Sequence, residues 1–117
     1  MKLTQAFQDI QSIVRNLPET DEAPHFEKIA FRVKGKIFAT YSEQQNTLTI
    51  KLSEIEQSVF VSADPISITP VANKWGKQGW TVLLLSNLQP DLLKDALISS
   101  YCTVAPKKLA DTVRDSL

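Results

Sequence analysis

One cysteine, one histidine and three glycines are scattered through 117 residues, and each scarcity closes off a class of chemistry. Cys102 alone cannot form an internal disulfide or a multi-cysteine metal site, which suits a reducing compartment. His25 has no nucleophile in a recognisable local motif, although Glu22 and Glu27 are near in sequence. It lies between a proline and a strand, where it serves more simply in packing or hydrogen bonding. Gly35, Gly76 and Gly79 lack the spacing of a phosphate-cradling loop, so neither a nucleotide cofactor nor an enzyme is expected. The longest apolar run, Val82 to Leu85, falls far short of the roughly 20 residues that span a bilayer. No signal-peptide pattern precedes it, so a cytoplasmic protein without membrane contact is expected. Thirteen basic residues balance thirteen acidic ones. Without a global field, nucleic-acid binding requires a local patch.

With 43% of residues hydrophobic and 22% charged, the chain has the material for one folded domain, 1–117. Leu3, Phe7, Ile10, Val14 and Leu17 recur on one helical face until Pro18, and the polar stretch from Glu19 to Pro24 reads as a surface connection. From Lys28 to Lys34 the pattern becomes strict alternation, with Ile29, Phe31 and Val33 opposite Lys28, Arg32 and Lys34. A two-residue turn at Lys34-Gly35 or Gly35-Lys36 leads into a second strand. Simple parity puts Phe38 and Thr40 in the core, and Ile37, Ala39 and Tyr41 beside the cations.

Leu48, Ile50 and Leu52 complete a three-stranded meander. Ser53 and Glu56 have capping-box spacing for a helix that turns Ile55, Val59 and Phe60 inward. Ile66 and Ile68 mark a short strand between Pro65 and Pro70, and Pro70 to Gly79 reads as a loop. The strand Trp80–Leu85 is apolar on both sides and so requires cover on both. Pro90 opens a helix with Leu93, Ala96, Leu97 and Tyr101 on one face, and Pro106 restarts another with Leu109, Ala110 and Val113 inward. The expected fold is a two-layer α+β domain with an antiparallel five-stranded sheet, in the order α-β3-α-β2-α-α. Its expected core is Phe7, Ile10, Val14, Ile29, Phe31, Val33, Phe38, Leu48, Ile50, Val82, Leu84, Leu93 and Leu97.

Two basic features carry the functional expectation. Lys28, Arg32 and Lys34 line one strand face, with Lys36 at the turn, and such residues stand about 6.6–6.8 Å apart. They suit phosphate contacts or, more plainly, keep a sheet face soluble. Lys74-Trp75-Gly76-Lys77-Gln78-Gly79-Trp80 interleaves aromatics and cations in a region, Pro65 to Pro90, with no Asp or Glu. Indoles stack on bases and lysines hold phosphates, or the tryptophans pack beneath the loop. Glu54 and Glu56 fit a helix N-terminus, and Cys102 fits packing as a small apolar residue. No metal site is expected.

The stretch Pro24 to Ala39, with its FRV-x-GKIFA string, resembles the first hairpin of the MmcQ/YjbR-like family of small bacterial proteins. Gly76-Lys77-Gln78-Gly79-Trp80, and Ser100-Tyr101 leading through Val104 to Lys107-Lys108-Leu109, are similar to that family's glycine–tryptophan loop and closing segment. The resemblance runs from about Leu3 to Leu117. It implies a two-layer fold similar to secretion chaperones and, functionally, DNA binding. Carried over, it puts Lys28, Arg32, Lys34 and Lys36 on phosphates, with Lys74, Trp75 and Lys77 beside them. The leading expectation is weak DNA contact that ignores base sequence. The alternative is a protein- or peptide-binding module, or a homodimer, using Ile37 and Tyr41 or the doubly apolar last strand.

Overall fold

The computed structural model describes residues 4–117, so Leu3 of the expected helical stripe lies outside the described residues. Thr4 caps α1 (Gln5–Arg15) by accepting a 3.0 Å hydrogen bond from the Phe7 N–H, and Phe7, Ile10 and Val14 are buried. There follow β1 (Thr20–His25), β2 (Lys28–Val33), β3 (Lys36–Ser42), β4 (Thr47–Lys51) and α2 (Glu54–Ala63). Then come β5 (Ile68–Pro70), the single turn α3 (Lys74–Lys77), β6 (Trp80–Leu84), α4 (Pro90–Val104) and α5 (Lys107–Asp115). Every neighbouring pair of strands is antiparallel, in the order β1-β2-β3-β4-β6-β5.

The α+β class matches expectation, but the sheet has six strands instead of five. The additional strand is β1, within the stretch expected to be a connection, and it pairs along the whole of β2. Asp21, Glu22 and Pro24 give it the composition of a protected edge rather than alternation, because a strand paired on one side tolerates proline and charge. The loop expected from Pro70 to Gly79 likewise contains β5's last residue and α3.

Lys34 (φ 51°) and Gly35 (φ 79°) form the two-residue turn between β2 and β3, which selects one of the two expected loops. Val33 therefore faces Lys36, and Arg32 faces Ile37, as simple parity requires. The register then slips. Phe31 pairs with Ala39 and Ile29 with Tyr41, leaving Phe38 as the extra residue of a β-bulge. A one-residue slip turns every later side chain over. Ala39 and Tyr41 are consequently buried, correcting their expected place beside the cations, and Thr40 moves to the opposite face. Phe38 remains buried and meets the Tyr101 ring edge-on at 5.7 Å.

α1 and α4 cover one sheet face, on which Phe31, Tyr41, Leu48, Ile50 and Leu83 are buried, with α5 packed against α4 and α2 against β5. Among the described residues, no helix longer than one turn covers the other. The apolar pattern of β6 thus resolves differently from expectation: Leu83 is the core residue, Val82 is half-buried and Leu84 is 43% exposed on the uncovered face. Ile29 is half-buried against the core. Ser53 accepts the Glu56 N–H at 3.1 Å as the capping spacing predicts, yet Ile55 and Val59 are exposed. Gln57 takes an inward place on α2 instead. Its Nε2 donates to Gly76 O, Thr81 Oγ1 and Trp80 O at 2.9, 3.0 and 3.3 Å, and Phe60 is half-buried.

The bulge frees backbone groups between β3 and β4, and α4 supplies their partner. Buried Ser100 donates its hydroxyl to the Phe38 carbonyl at 2.7 Å and accepts the Lys51 N–H at 3.1 Å. Ser100→Ala orphans both groups, each costing about 1–3 kcal/mol when buried. We expect a loss of about 2–3 kcal/mol in urea unfolding, with Ser100→Thr losing less. A Ser100→Ala midpoint equal to wild type is the contrary result.

Candidate nucleic-acid interface

The uncovered sheet face is built from alternate residues of five strands. Directly opposed residues share a face, so the register places Ala23, Ala30, Thr40, Thr49 and Val82 in one row across it. His25 and Lys28 form the flank at the β1–β2 tip, and Lys51 and Trp80 form the flank beside α3. Between these flanks lies a concavity of about 500 Å³, lined among others by His25, Lys28, Thr40, Thr49, Trp75 and Trp80. A cleft of similar volume between α1, α4 and α5 is lined by Ile13, Ile98 and Val113, with Lys94 as its one cation. Ser12, Asn16, Thr112 and Ser116 also line it, without an aromatic ring.

Local geometry brings the two tryptophans to one rim. Asn73 Oδ1 accepts the Trp75 N–H at 2.9 Å and starts α3, which leaves Trp75 49% exposed. Gly79 then has φ +102°, and a β-carbon there would collide with the Leu52 carbonyl oxygen. This close approach allows the Leu52 N–H to reach Gly79 O at 2.9 Å and sets Trp80 opposite Lys51. Lys74 Nζ lies 5.8 Å from the Trp75 ring centroid, and Lys51 Nζ lies 5.8 Å from that of Trp80. Lys51 Nζ also donates to Gln78 O.

The cations expected as a hairpin stripe separate into different environments. Lys28 is exposed at the concavity. Arg32 lies on the same face, but its Nε donates to Asp21 Oδ1 at 2.7 Å, and this carboxylate raises the guanidinium's affinity for its proton. Lys34 sits in the turn, 3.9 Å from Glu19 Oε2. Lys36 pairs with Val33 and leaves the sheet on its helix-covered side. The missed edge strand and its approach thus supply acids to two of the four. Lys74, Trp75 and Lys77, expected beside the stripe, are all exposed on α3 at the far rim.

Among the described residues, Lys28, Lys36, Lys51, Lys74 and Lys77 have no carboxylate within 4 Å. Asp21, held by Arg32, and Glu27 at the hairpin tip are acids that border the open face. Lys51 escaped the sequence analysis because it ends a strand next to a helix cap. Its alternation with Thr47 and Thr49 was the available signal, since all three share the uncovered face. Tyr41, expected at an interaction surface, instead packs on Phe7 with ring centroids 5.1 Å apart and shares a 2.8 Å hydrogen bond with Thr4 Oγ1. Cys102 is buried, its thiol directed to Ala110 O at 3.8 Å, and burial raises its pKa.

The YjbR family model matches residues 15–103, about three quarters of the chain. The chain belongs to the YjbR family. A Deinococcus radiodurans protein with a DUF419 domain, known from its crystal structure, is similar over 83% of this chain and 76% of its own. The two are 27% identical, with a TM-score of 0.71. The comparison with curated proteins found no match. The YjbR match contains both flanks of the concavity and ends before α5, so the resemblance of Lys107-Lys108-Leu109 to a family closing segment lies beyond it.

Two measurements probe this architecture. Gly79→Ala should lose more than about 2 kcal/mol and shift tryptophan emission, since it combines backbone strain with a collision; an unchanged melt would contradict the close approach. Iodoacetamide at pH 8 should label Cys102 far more slowly in the native protein than in urea, because burial keeps the thiol protonated. Equal rates would place the thiol at the surface.

Proposed function

We propose that this YjbR-family protein is a cytoplasmic, non-enzymatic domain that binds DNA weakly and without reading base sequence, through the uncovered face of its sheet. The observation that carries this reading is the convergence of Lys28, Trp75 and Trp80 on one concavity, with Lys51, Lys74 and Lys77 at the α3 flank and no carboxylate within 4 Å of them among the described residues. Phosphates meet the lysines, and the hydroxyls of Thr40 and Thr49 offer sequence-blind polar contacts. Of the residues expected to contact DNA, Lys28, Lys74, Trp75 and Lys77 form this surface. Arg32 joins it at the expense of its pairing with Asp21, and Lys34 and Lys36 lie at its margin or behind it. Zero net charge keeps the interaction weak.

Four phosphate contacts give a slope of about −3.6 in log K against log salt on duplex DNA, or about −2.8 on a single strand. We expect electrophoretic titration at several ionic strengths to show such slopes. Lys28→Ser with Lys74→Ser should flatten them by about half. Asp21→Asn, which releases Arg32, should tighten binding and steepen the slope by about 0.9 on duplex DNA. Binding that ignores both salt and these substitutions would refute the surface.

A second occupant is suggested by Leu84, 43% exposed on the same face beside half-buried Val82. In this reading a second copy seats there and hides the face. Sedimentation at twice 13.1 kDa, reversed by Leu84→Lys, supports the dimer; a 13.1 kDa particle without DNA removes it.

A further inference from the structure

We infer that Phe26 is a base-stacking residue and that it turns the open face toward single-stranded nucleic acid in preference to duplex. This inference deepens the proposed DNA contact and rests on it. Phe26 stands in the two-residue tip between His25 and Lys28 and is 94% exposed. Its φ is 59°, in the left-handed region that glycine or asparagine occupies cheaply and a bulky side chain does not. The ring's one aromatic neighbour is His25, edge-on at 4.9 Å. The turn therefore carries a large apolar ring in a strained backbone position and buries almost none of it. Folding gains little from phenylalanine here, so an external partner is the physical reason for its cost.

The position of the tip identifies that partner. Phe26 shares a shallow concavity with His25, Glu27 and Lys28, and His25 and Lys28 also line the main concavity containing Trp75 and Trp80. The two hollows adjoin at these two residues. Phe26 at one hollow and Trp75 and Trp80 at the other thus flank the shared residues His25 and Lys28, and Lys28, Lys51, Lys74 and Lys77 have no carboxylate within 4 Å among the described residues. Flat rings spaced among cations without carboxylate partners complement a chain of flat bases joined by phosphates. An acidic peptide satisfies the cations but offers the rings few flat faces. Duplex DNA satisfies the cations while keeping its base faces inside the stack. A single strand satisfies both.

The substitution Phe26→Gly separates folding from binding, because glycine suits φ 59° better than phenylalanine. We expect its melting temperature to equal or exceed that of wild type. Affinity should be followed by anisotropy of labelled oligothymidine, a duplex of the same length and an abasic strand of the same length, with tryptophan quenching recorded in parallel. Wild type should bind oligothymidine at least about fivefold more tightly than the duplex or the abasic strand. Phe26→Gly should weaken oligothymidine about tenfold, leave the duplex within about twofold, and Phe26→Tyr should restore wild-type binding. If Phe26→Gly binds oligothymidine as wild type does, or the abasic strand binds equally well, the stacking role is refuted. The phosphate-contact reading then survives provided Lys28→Ser still weakens binding. If no strand binds at low salt, or poly-glutamate competes as well as DNA, both readings fail.

Discussion

The Ser100 hydroxyl joins the two layers at the point where the sheet departs from regular pairing. Phe38 is one residue too many for the β2–β3 ladder, and its carbonyl and the Lys51 N–H are bridged by a side chain from α4. Left alone, those two groups would disfavour the bulge by the cost of burying unpaired backbone. With the bridge in place, the slip becomes the preferred register. Tyr41 then points toward α1, where it bonds Thr4 and packs on Phe7, and Thr40 points toward the open face. The identity of both surfaces depends on this local irregularity.

The open face gains its chemical character from what the rest of the chain does not place on it. Edge strand β1 and the residues before it give acids to Arg32 and Lys34, while the lysines nearest the concavity have no carboxylate within 4 Å among the described residues. Gln57 and Gly79 hold the segment carrying Trp75 and Trp80 against the end of β4 and β6, so both tryptophans, with Lys51 and Lys74 beside them, occupy one rim of a hollow whose other rim carries Lys28. A chain of zero net charge can in this way present a locally cationic surface, since binding responds to charge within a Debye length rather than to the total.

Strong local signals were legible in the sequence. The stripe Phe7, Ile10 and Val14, the Ser53 cap and the α4 face through Leu93, Leu97 and Tyr101 each depend on residues close along the chain, and each is found as expected, while of the two turns expected around Gly35 the structure takes Lys34-Gly35. β1 was not legible, because half of an edge strand's hydrogen bonds go unused and its side chains need not alternate. The inward turn of Gln57 and the exposure of Ile55 and Val59 were equally hidden. An amide with three acceptors in reach outweighs hydrophobic preference on a short helix, and those acceptors come from residues 76–81. Of the candidate site, Lys28, Lys74, Trp75 and Lys77 were visible as cation and aromatic clusters, whereas Lys51 and Phe26 became recognisable once pairing had set their surroundings.

By itself, the order of residues determined the α+β class, the principal helices, a tight turn at Gly35 and the family, since propensity, periodicity and turn chemistry act over a few neighbours. Tertiary structure decided which face of each strand meets the core, which cations are neutralised and where the tryptophans converge. Those outcomes turn on one inserted residue and on a serine 62 positions away from Phe38, and side-chain parity in a sheet has no memory of sequence beyond the last irregularity in its ladder.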